Sequence, residues 1–287
     1  MENKSSDITV SICCITYNHE EYIAQAIEGF LGQKTNFKFE IIIGEDCSTD
    51  RTLEIVKDYA KKHPELIRLI TSKTNVGSIR NQVRVFNEVK GKYIAFCDGD
   101  DYWTDPLKIQ KQVDFLEKNP EYIMCCHYSK VIDASGNVLY VSNILKPLSY
   151  TYEDFLVGKR EETRIGSMMF KNAKEISEIH EKDWYYRTNG TDAFLKLYIT
   201  AVTGGKVYVL PEIMSCYRQH VGGAWSMIDP KVRKNRMVSD FNIVIKNFKY
   251  SSILKRELLK IYLKQYLLFE IRNFKLNNAL STVMTLL

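Results

Sequence analysis

The chain has 287 residues, of which 45% are hydrophobic and 26% are charged. This composition is typical of a globular protein with a substantial core and excludes intrinsic disorder. The sequence contains neither a secretory signal nor an apolar run long enough to cross a bilayer, so a cytoplasmic protein is expected. Its seven cysteines are odd in number and lie mostly in apolar stretches, which predicts reduced thiols rather than disulfides.

Charge is unevenly distributed along the chain. The net charge is +5 overall, yet residues 231–287 hold twelve Lys and Arg against three Asp and Glu, which leaves the remainder acidic. This division predicts two units, a main domain over residues 1–229 and a basic helical extension over residues 230–287. A pI near 8.6 gives no reason to expect a nucleic-acid partner.

The first 120 residues alternate short apolar runs with segments of helical periodicity. Ser48 is expected to cap the second helix, and Pro106 to open the fourth. The alternation predicts an α/β fold with a mainly parallel sheet flanked by helices. Strands are predicted at residues 9–16, 39–43, 67–71 and 93–97, and helices at residues 20–31, 49–62, 78–89 and 105–119.

The pattern changes after residue 120. The second half is predicted to begin with a hairpin and to end in basic helices that start at Pro230. Between them lie a short strand, a helix, and two strands on either side of Pro211. The predicted ranges are 122–133 and 138–142 for the hairpin, 167–170 for the short strand and 191–202 for the helix.

Ligands of parallel sheets bind beyond the carboxyl ends of the strands. This rule selects three polar loops, which follow the first, second and fourth predicted strands. The first loop carries Tyr17 and Asn18, which can pack against a base or a ribose. The second carries Asp46, whose carboxylate can accept a hydrogen bond from a pyrimidine N–H. Taken singly, these residues are also common in ordinary loops.

The third loop, Cys97-Asp98-Gly99-Asp100-Asp101, places three carboxylates within four positions. Such a cluster repels itself unless a cation or hydrogen-bond donors compensate it. Carboxylate oxygens suit Mg²⁺ or Mn²⁺, which bind through one or two carboxylates together with substrate phosphates. A solvated turn is the alternative, because Asp and Gly are also common turn residues.

Four segments, by their order and spacing, resemble the family 2 glycosyltransferases, which have the GT-A fold. The resemblance covers roughly residues 8–225. It implies a Rossmann-like nucleotide-binding half over residues 8–120, an acceptor half over residues 121–229, and inverting transfer from a nucleotide sugar. The four segments are Ile15-Thr16-Tyr17-Asn18, Ile43 to Asp50 (IGEDCSTD), Asn75-x-Gly77, and Gly91 to Asp101 (GKYIAFCDGDD).

The resemblance also implies roles for single residues. Asp46 is expected to contact the base, Asp98 the ribose, and Asp100 an Mn²⁺ or Mg²⁺ ion that bridges the diphosphate. The family usually has Asp-Asp where this chain has Glu45-Asp46, which leaves the base contact intact. The other expected nucleotide contacts are Thr16, Tyr17, Asn18, Arg80, Asn81 and Gly99.

Inverting transfer needs one carboxylate that deprotonates the acceptor hydroxyl. Asp192 opens a predicted helix at the position where the family places its catalytic acid residue, so the resemblance favours Asp192 as the base. Many members have Glu-Asp there, whereas this chain has Thr191-Asp192. Helix capping by either residue is the alternative, and Asp183 and Asp154 are weaker candidates for the base.

The segment from Tyr217 to Ser226 resembles one that follows the last core strand in one branch of the family. By that resemblance, Arg218 or His220 approaches the diphosphate. Trp225 and the preceding glycine pair belong to a loop that closes over the donor. A structural or exposed histidine is the alternative at position 220.

The predicted function is transfer of a sugar from a nucleotide sugar, chiefly a UDP-sugar, to a glycan or lipid-linked acceptor, as in surface polysaccharide synthesis. Two alternatives stay open. One is a nucleotide- or glycan-binding module without catalysis. The other is a sugar-nucleotide nucleotidyltransferase, although Tyr17-Asn18-His19-Glu20 lacks the glycines such an enzyme needs. The basic extension either packs on the core or makes peripheral contact with the anionic inner face of a membrane.

Overall fold

The protein, seen in a computed structural model, is described over residues 7–223 and 228–287. Its first 120 residues form strands and helices in strict alternation until a short strand interrupts the pattern. The predicted order of the long elements is confirmed. They are β1 (Ile8–Thr16), α1 (Ile23–Leu31), β2 (Lys38–Glu45), α2 (Thr52–Lys62), β3 (Ile67–Ile70), α3 (Ser78–Phe86), β4 (Tyr93–Phe96), β5 (Tyr102–Trp103) and α4 (Lys108–Lys118).

The second half adds five strands and ends in helices. The predicted hairpin and the helix that begins at Thr191 are both present. The elements are β6 (Tyr122–Asp133), β7 (Val138–Tyr140), β8 (Leu148–Tyr150), α5 (Tyr152–Leu156), β9 (Met169–Lys171), α6 (Lys174–Ser177), α7 (Thr191–Thr203), β10 (Lys206–Gln219), α8 (Pro230–Asn247), α9 (Ser252–Tyr262), α10 (Leu268–Arg272) and α11 (Leu276–Leu286).

All ten strands join one sheet, whose main path runs β3-β2-β1-β4-β9-β6-β10-β5. Strands β1 to β4, β6 and β10 run parallel, while β9 is inserted antiparallel between β4 and β6. The carboxyl ends of the parallel strands therefore share one edge. The predicted α/β fold with a mainly parallel sheet is confirmed.

Two apolar clusters cover the two faces of the sheet. Alternate residues of β1 show this, because Cys13 belongs to one cluster whereas Ile12 and Cys14 belong to the other. The near-continuous apolar sequence of β1 is the pattern expected of a strand buried on both faces. All seven cysteines are unpaired thiols.

Three predicted helix starts were wrong, each by three residues. Helix α1 begins at Ile23 instead of residue 20, and the other two errors concern Ser48 and Pro106. Helix α2 begins at Thr52 after Arg51, and the hydroxyl of Ser48 accepts a hydrogen bond from the backbone N–H of Asn18 at 3.0 Å instead of capping the helix. Helix α4 begins at Lys108, so Pro106 lies before it in a turn. Ser48 is thus engaged by a residue distant in the chain, and the carbonyl of Pro106 accepts a hydrogen bond from the N–H of Lys34 at 2.7 Å.

The two strands predicted on either side of Pro211 are one strand, β10. Its pairing with β6 shifts register between Leu210 and Ile213 and again before Ser215. Strand β8 pairs with Val207–Val209 and β5 pairs with Ser215 and Cys216, so Pro211 falls between the two partners. A proline without an N–H is tolerated at such an irregularity, because no ladder hydrogen bond is lost there.

The extension that follows residue 229 is helical, as predicted. Helices α8 to α11 have a small core of their own that includes Phe241, Tyr262 and Tyr266. They also join the main core, because Phe248 at the end of α8 packs against Trp184 with ring centroids 5.2 Å apart. Among the described residues, the helices are all too short or too polar to span a bilayer.

Candidate active site

Backbone hydrogen bonds tie the three predicted loops together at the carboxyl edge of the sheet. The N–H of Asp46 donates to the carbonyl of Thr16 at 3.1 Å, and the N–H of Gly99 donates to the carbonyl of Ile15 at 3.0 Å. The edge selected from the sequence is thus a continuous surface.

Asn18 links the first two loops. It adopts a left-handed backbone conformation (φ 55°), and its side-chain oxygen accepts a hydrogen bond from the N–H of Thr49 at 2.8 Å. Asparagine tolerates this conformation better than most residues. Neighbouring Tyr17 is 40% exposed, so its ring is accessible to a ligand.

Asp46 is buried, and its two carboxylate oxygens accept hydrogen bonds from the N–H groups of Val76 and Gly77, both at 2.8 Å. Arg84 approaches the same carboxylate at 3.9 Å. The structure therefore gives Asp46 a positioning role, which is to hold the Asn75-x-Gly77 turn at the edge of the sheet. The Asn75-x-Gly77 motif was the sequence signal for this contact.

The expected contacts on α3 separate into two kinds. Asn81 is buried and donates to the carbonyl of Gly44 at 2.7 Å, so it fastens α3 to β2. Arg80 lies over the ring of Tyr186 at 5.7 Å and lines a cavity of about 380 Å³. Val76, next to the Asp46 contact, lines the same cavity. Tyr186 was missed because its element contains no recognisable motif.

The three carboxylates of the acidic loop differ in their hydrogen-bond partners and in the direction of their pKa shifts. Asp101 is buried and accepts a hydrogen bond from the N–H of Arg218 at 2.8 Å, and burial raises its pKa well above the usual value. Burial, with the nearby charges of Asp100 and Asp192, raises the pKa of Asp98 to about 8. Burial opposes ionisation of Asp100 too, but its hydrogen bond to His220 and the charge of His19 bring its pKa below normal.

Gly99 allows this loop to pack closely on the end of β1. A Cβ atom at position 99 would lie 2.7 Å from the hydroxyl oxygen of Thr16 and 3.0 Å from Nδ1 of His19. Thr16 and Gly99, both expected at the nucleotide site, thus shape the wall of the site by their contact with one another. A side chain at position 99 would push His19 away from Asp100.

Asp100 lies between two histidines. Its Oδ2 atom is 3.0 Å from Nε2 of His220 and 3.8 Å from Nε2 of His19. The other ring nitrogens contact the protein, since Nδ1 of His19 lies 3.2 Å from the hydroxyl of Thr16 and Nδ1 of His220 lies 3.0 Å from the carbonyl of Val221. Sequence reasoning placed His19 in the first loop but gave it no role.

This triad has the chemistry of a cation site. One ligand atom from each of His19, Asp100 and His220 lies within 4.8 Å of the others. The carbonyl of Val221 only accepts, so Nδ1 of His220 must carry the proton there, and a neutral ring then turns a lone pair toward the carboxylate of Asp100. Either a second proton or a cation relieves this contact. The hydrogen bond to Asp100 accordingly raises the pKa of His220.

Arg218 holds the backbone of the acidic loop through its guanidinium group. Its Nε donates to the carbonyl of Asp100 at 3.0 Å, and its terminal nitrogens donate to the carbonyl of Ala134 at 3.1 Å and to the side chain of Gln25 at 2.8 Å. The guanidinium also lies 4.6 Å from the centre of the Tyr22 ring. Arg218, expected near the diphosphate, thus joins the acidic loop to β6 and α1, whereas His220 lies beside Asp100.

The segment expected to close over the donor, residues 217–226, is described as far as Gly223. Gly222 has a φ of 103°, a conformation that favours glycine. Trp225 lies among residues 224–227, outside the described residues. Its expected role in closing over the donor stays a prediction.

Asp192 lies in the first turn of α7, and Gly190 occupies the N-cap position, so the capping alternative is not what the structure shows. Its Oδ2 atom is 2.9 Å from the ammonium of Lys196, one helical turn later. Burial opposes the charge of Asp192, but Lys196 outweighs it and the pKa lies below the ordinary value. The side chain is 36% exposed, so an ionised carboxylate is accessible.

Lys196 and Asp240 are supporting residues that the sequence did not reveal. Lys196 is buried, and its ammonium also donates to the carbonyl of Thr163 at 2.6 Å. Asp240 of α8 accepts hydrogen bonds from the N–H of Asn189 at 2.9 Å and of Gly190 at 3.1 Å. The extension therefore fixes the loop that leads into Asp192.

Comparisons with known proteins identify the family. The family described as Glycosyl transferase family 2 matches residues 11–176. The chain belongs to this family. It is 37% identical over 223 residues to an uncharacterized protein of Mycobacterium tuberculosis, a match that covers 75% of this chain and 60% of that protein. The family predicted from the sequence is confirmed.

Solved structures confirm the GT-A type of fold. Staphylococcus aureus TarS, residues 1–349, in complex with UDP-GlcNAc aligns with a TM-score of 0.64 at 18% identity, covering 89% of this chain and 73% of that one. The mannosyltransferase PcManGT of Pyrobaculum calidifontis, in complex with GDP-Man and Mn²⁺, aligns with a TM-score of 0.62 at 17% identity, covering 96% and 74%. The chain spans 60% of the length of its mycobacterial relatives.

We predict that Asp100→Asn weakens Mn²⁺ binding by more than about tenfold, because loss of even an outer-shell partner costs about 10–100-fold in metal affinity. Titration of Mn²⁺ followed by electron paramagnetic resonance measures the free ion directly. Asp105→Asn is the matched control, since Asp105 pairs with Lys111 at 2.8 Å and lies outside the triad. Equal Mn²⁺ affinity in the two variants would show that the triad does not bind the ion.

Proposed function

We propose that this glycosyltransferase moves a sugar from a UDP-sugar to a glycan or lipid-linked acceptor with inversion at the anomeric carbon. The observation that carries the proposal is the carboxylate of Asp192, which lies in the first turn of α7, is 36% exposed and is paired with the ammonium of Lys196 at 2.9 Å. TarS in complex with UDP-GlcNAc and PcManGT in complex with GDP-Man support a nucleotide-sugar donor.

In the proposed reaction the acceptor hydroxyl oxygen forms a bond to the anomeric carbon as the bond from that carbon to the diphosphate breaks. The hydroxyl proton passes to Asp192, and the nucleoside diphosphate leaves with the bonding electron pair. A positioned base contributes about 10²–10⁴-fold to such a step. Family membership favours this transfer over the nucleotidyltransferase alternative.

The proposed metal is Mn²⁺ or Mg²⁺, held by His19, Asp100 and His220. When bound, such an ion would neutralise charge on the leaving diphosphate. Imidazole together with carboxylate is a better match to Mn²⁺ than to Mg²⁺, which prefers oxygen ligands. The mixed donor set of this triad thus favours Mn²⁺.

The proposed nucleotide site extends from Tyr17 across Asp98 to the cavity beside Arg80. The exposed ring of Tyr17 offers a face for stacking. Arg80 and Tyr186 form one wall of the cavity, and the turn held by Asp46 forms another. We assign the uracil to this cavity and the ribose to Asp98.

We predict that Asp192→Asn lowers the rate of sugar transfer by about 10²-fold or more, because the amide cannot take the acceptor proton. The melting-temperature shift produced by UDP with Mn²⁺ should be unchanged, since the nucleotide loops are intact. Asp183→Asn, at the exposed aspartate that was a weaker candidate for the base, is expected to keep normal transfer and is the matched comparison. Normal turnover by Asp192→Asn would mean that the base lies elsewhere, and absence of any transfer in the parent protein would favour the non-catalytic binding module.

We predict that Lys196→Met moves the acidic limb of the pH–rate profile to higher pH. Lys196 lowers the pKa of Asp192, and the base must be ionised, so removal of the ammonium raises the pH at which activity appears. The measurement is kcat/KM against pH, with exposed Lys206→Met as the control. An unchanged acidic limb would contradict coupling between the two residues.

We further propose that the extension contacts an anionic membrane surface and so brings the protein to lipid-linked acceptors used for surface polysaccharides. The support is a stripe on α11, where Leu276, Leu280 and Met284 are 60%, 64% and 65% exposed at helical spacing. The surrounding segment carries the excess of Lys and Arg. Exposed apolar side chains beside basic residues are typical of helices that lie on membranes.

We predict that the Leu276→Glu, Leu280→Glu double variant no longer floats with phosphatidylglycerol vesicles. The control is the Gln265→Glu, Asn277→Glu double variant, which makes the same charge change at exposed polar positions. Substitution is preferable to truncation, because truncation would remove Asp240 and disturb the active site. Equal flotation of the two variants would refute the role of the stripe.

A further inference from the structure

A second cavity, of about 380 Å³, is lined mainly by residues of the extension. It is formed by α8, by the turn after α10 and by α11, and Arg187 from the segment before α7 completes it. Four asparagines, two serines and a threonine line it, with three cationic side chains, one carboxylate and only two aliphatic residues. So polar a lining does not suit an apolar ligand.

Glu270 provides an independent sign that the cavity takes a ligand. Its side chain is buried (1% exposed) and lines the cavity. One carboxylate oxygen accepts a hydrogen bond from the hydroxyl of Tyr262, whereas the other has no partner among the residues that the structure describes. A buried oxygen without a donor is costly. A small turn of the Glu270 side chain toward a ligand hydroxyl in the cavity would satisfy it.

Two segments that line the cavity also lead to the loop before Asp192. Helix α8 lines it with Ser239 and Asn242, and between these residues lies Asp240, which holds the loop before Asp192. Arg187 precedes Asp192 by five residues, so their Cα atoms are at most about 18 Å apart even for extended chain. A chain of several sugar units whose end is at Asp192 could therefore reach the cavity.

We propose that this cavity binds an inner portion of the acceptor, an oligosaccharide that carries acidic groups. Asparagine side chains and the free oxygen of Glu270 match sugar hydroxyls, which both donate and accept. Arg187, Lys246 and Lys275 give the lining an excess of positive charge that suits carboxylate or phosphate groups on the glycan. The inference rests on the proposed transferase function and identifies the class of its acceptor.

The lining also argues against a second nucleotide. Base recognition usually includes stacking on an aromatic ring, and the lining residues described for this cavity include none. The sites for donor and acceptor thus differ in chemistry. The donor edge offers Tyr17, Tyr186 and a cation site, whereas this cavity offers amides, hydroxyls and fixed charges.

The test compares Asn278→Trp with Asn277→Trp. Both asparagines are exposed on α11, but only Asn278 lines the cavity, so the first variant fills it and the second is the matched control. The probe is a galacturonic acid tetramer, with maltotetraose as the neutral comparison, and binding is measured by isothermal titration calorimetry. We expect Asn278→Trp to weaken binding of the acidic tetramer at least about tenfold while Asn277→Trp binds as the parent does.

The UDP and Mn²⁺ melting-temperature shift is recorded for each variant as a check on folding and on the donor site, and Lys246→Ala provides a second, less bulky change. Equal binding by Asn278→Trp and Asn277→Trp, or no binding of the acidic tetramer by the parent protein, would overturn the proposal. Tighter binding of maltotetraose than of the acidic tetramer would refute the claim that the cavity prefers acidic sugars. A normal UDP shift with failed tetramer binding locates the failure in this cavity and leaves the transferase proposal standing.

Discussion

The imidazole ring of His220 imposes the constraint on which the site depends. Its two nitrogens face the carbonyl of Val221 and the carboxylate of Asp100, and both of these groups only accept hydrogen bonds. A proton or a metal ion must therefore lie between the ring and the carboxylate of Asp100. Without it, a lone pair of the ring nitrogen and the charge of Asp100 would face each other at 3.0 Å and repel.

The other charged side chains around the acidic loop are of two kinds: those that are always charged and those that can gain or lose a proton. Arg218 is permanently charged and fully engaged by the protein, so it stabilises the backbone of the loop whether or not a ligand is present. His19 and His220 can change their charge or bind a cation. Lys196 likewise holds a fixed positive charge beside Asp192, because its ammonium is buried and donates to the carbonyl of Thr163. Arg218 and Lys196 thus provide charges that the surrounding hydrogen bonds hold in place.

Sequence reasoning succeeded where a rule depends on local pattern. The apolar runs gave β1, β2 and β4, and the rule that ligands lie beyond parallel strands selected the loops of Tyr17, Asp46 and Asp98 correctly as one surface. It failed where a partner is distant in the chain. His19 contacts Asp100, Asp240 contacts Asn189, and Ser48 binds Asn18 instead of capping a helix. None of these contacts has a periodic signal, since each is set by how the sheet brings separate loops together.

The contact between Asp240 and the loop before Asp192 also determines the order in which the site is completed during synthesis. The three loops at the carboxyl edge of the sheet have been synthesised by residue 101, whereas the loop at Asn189 and Gly190 is held by a carboxylate that is added some fifty residues after it. A nascent chain therefore carries the loop before Asp192 for some time without the side chain that fixes it. That loop acquires both hydrogen bonds only when α8 has folded back onto the part of the chain that precedes it.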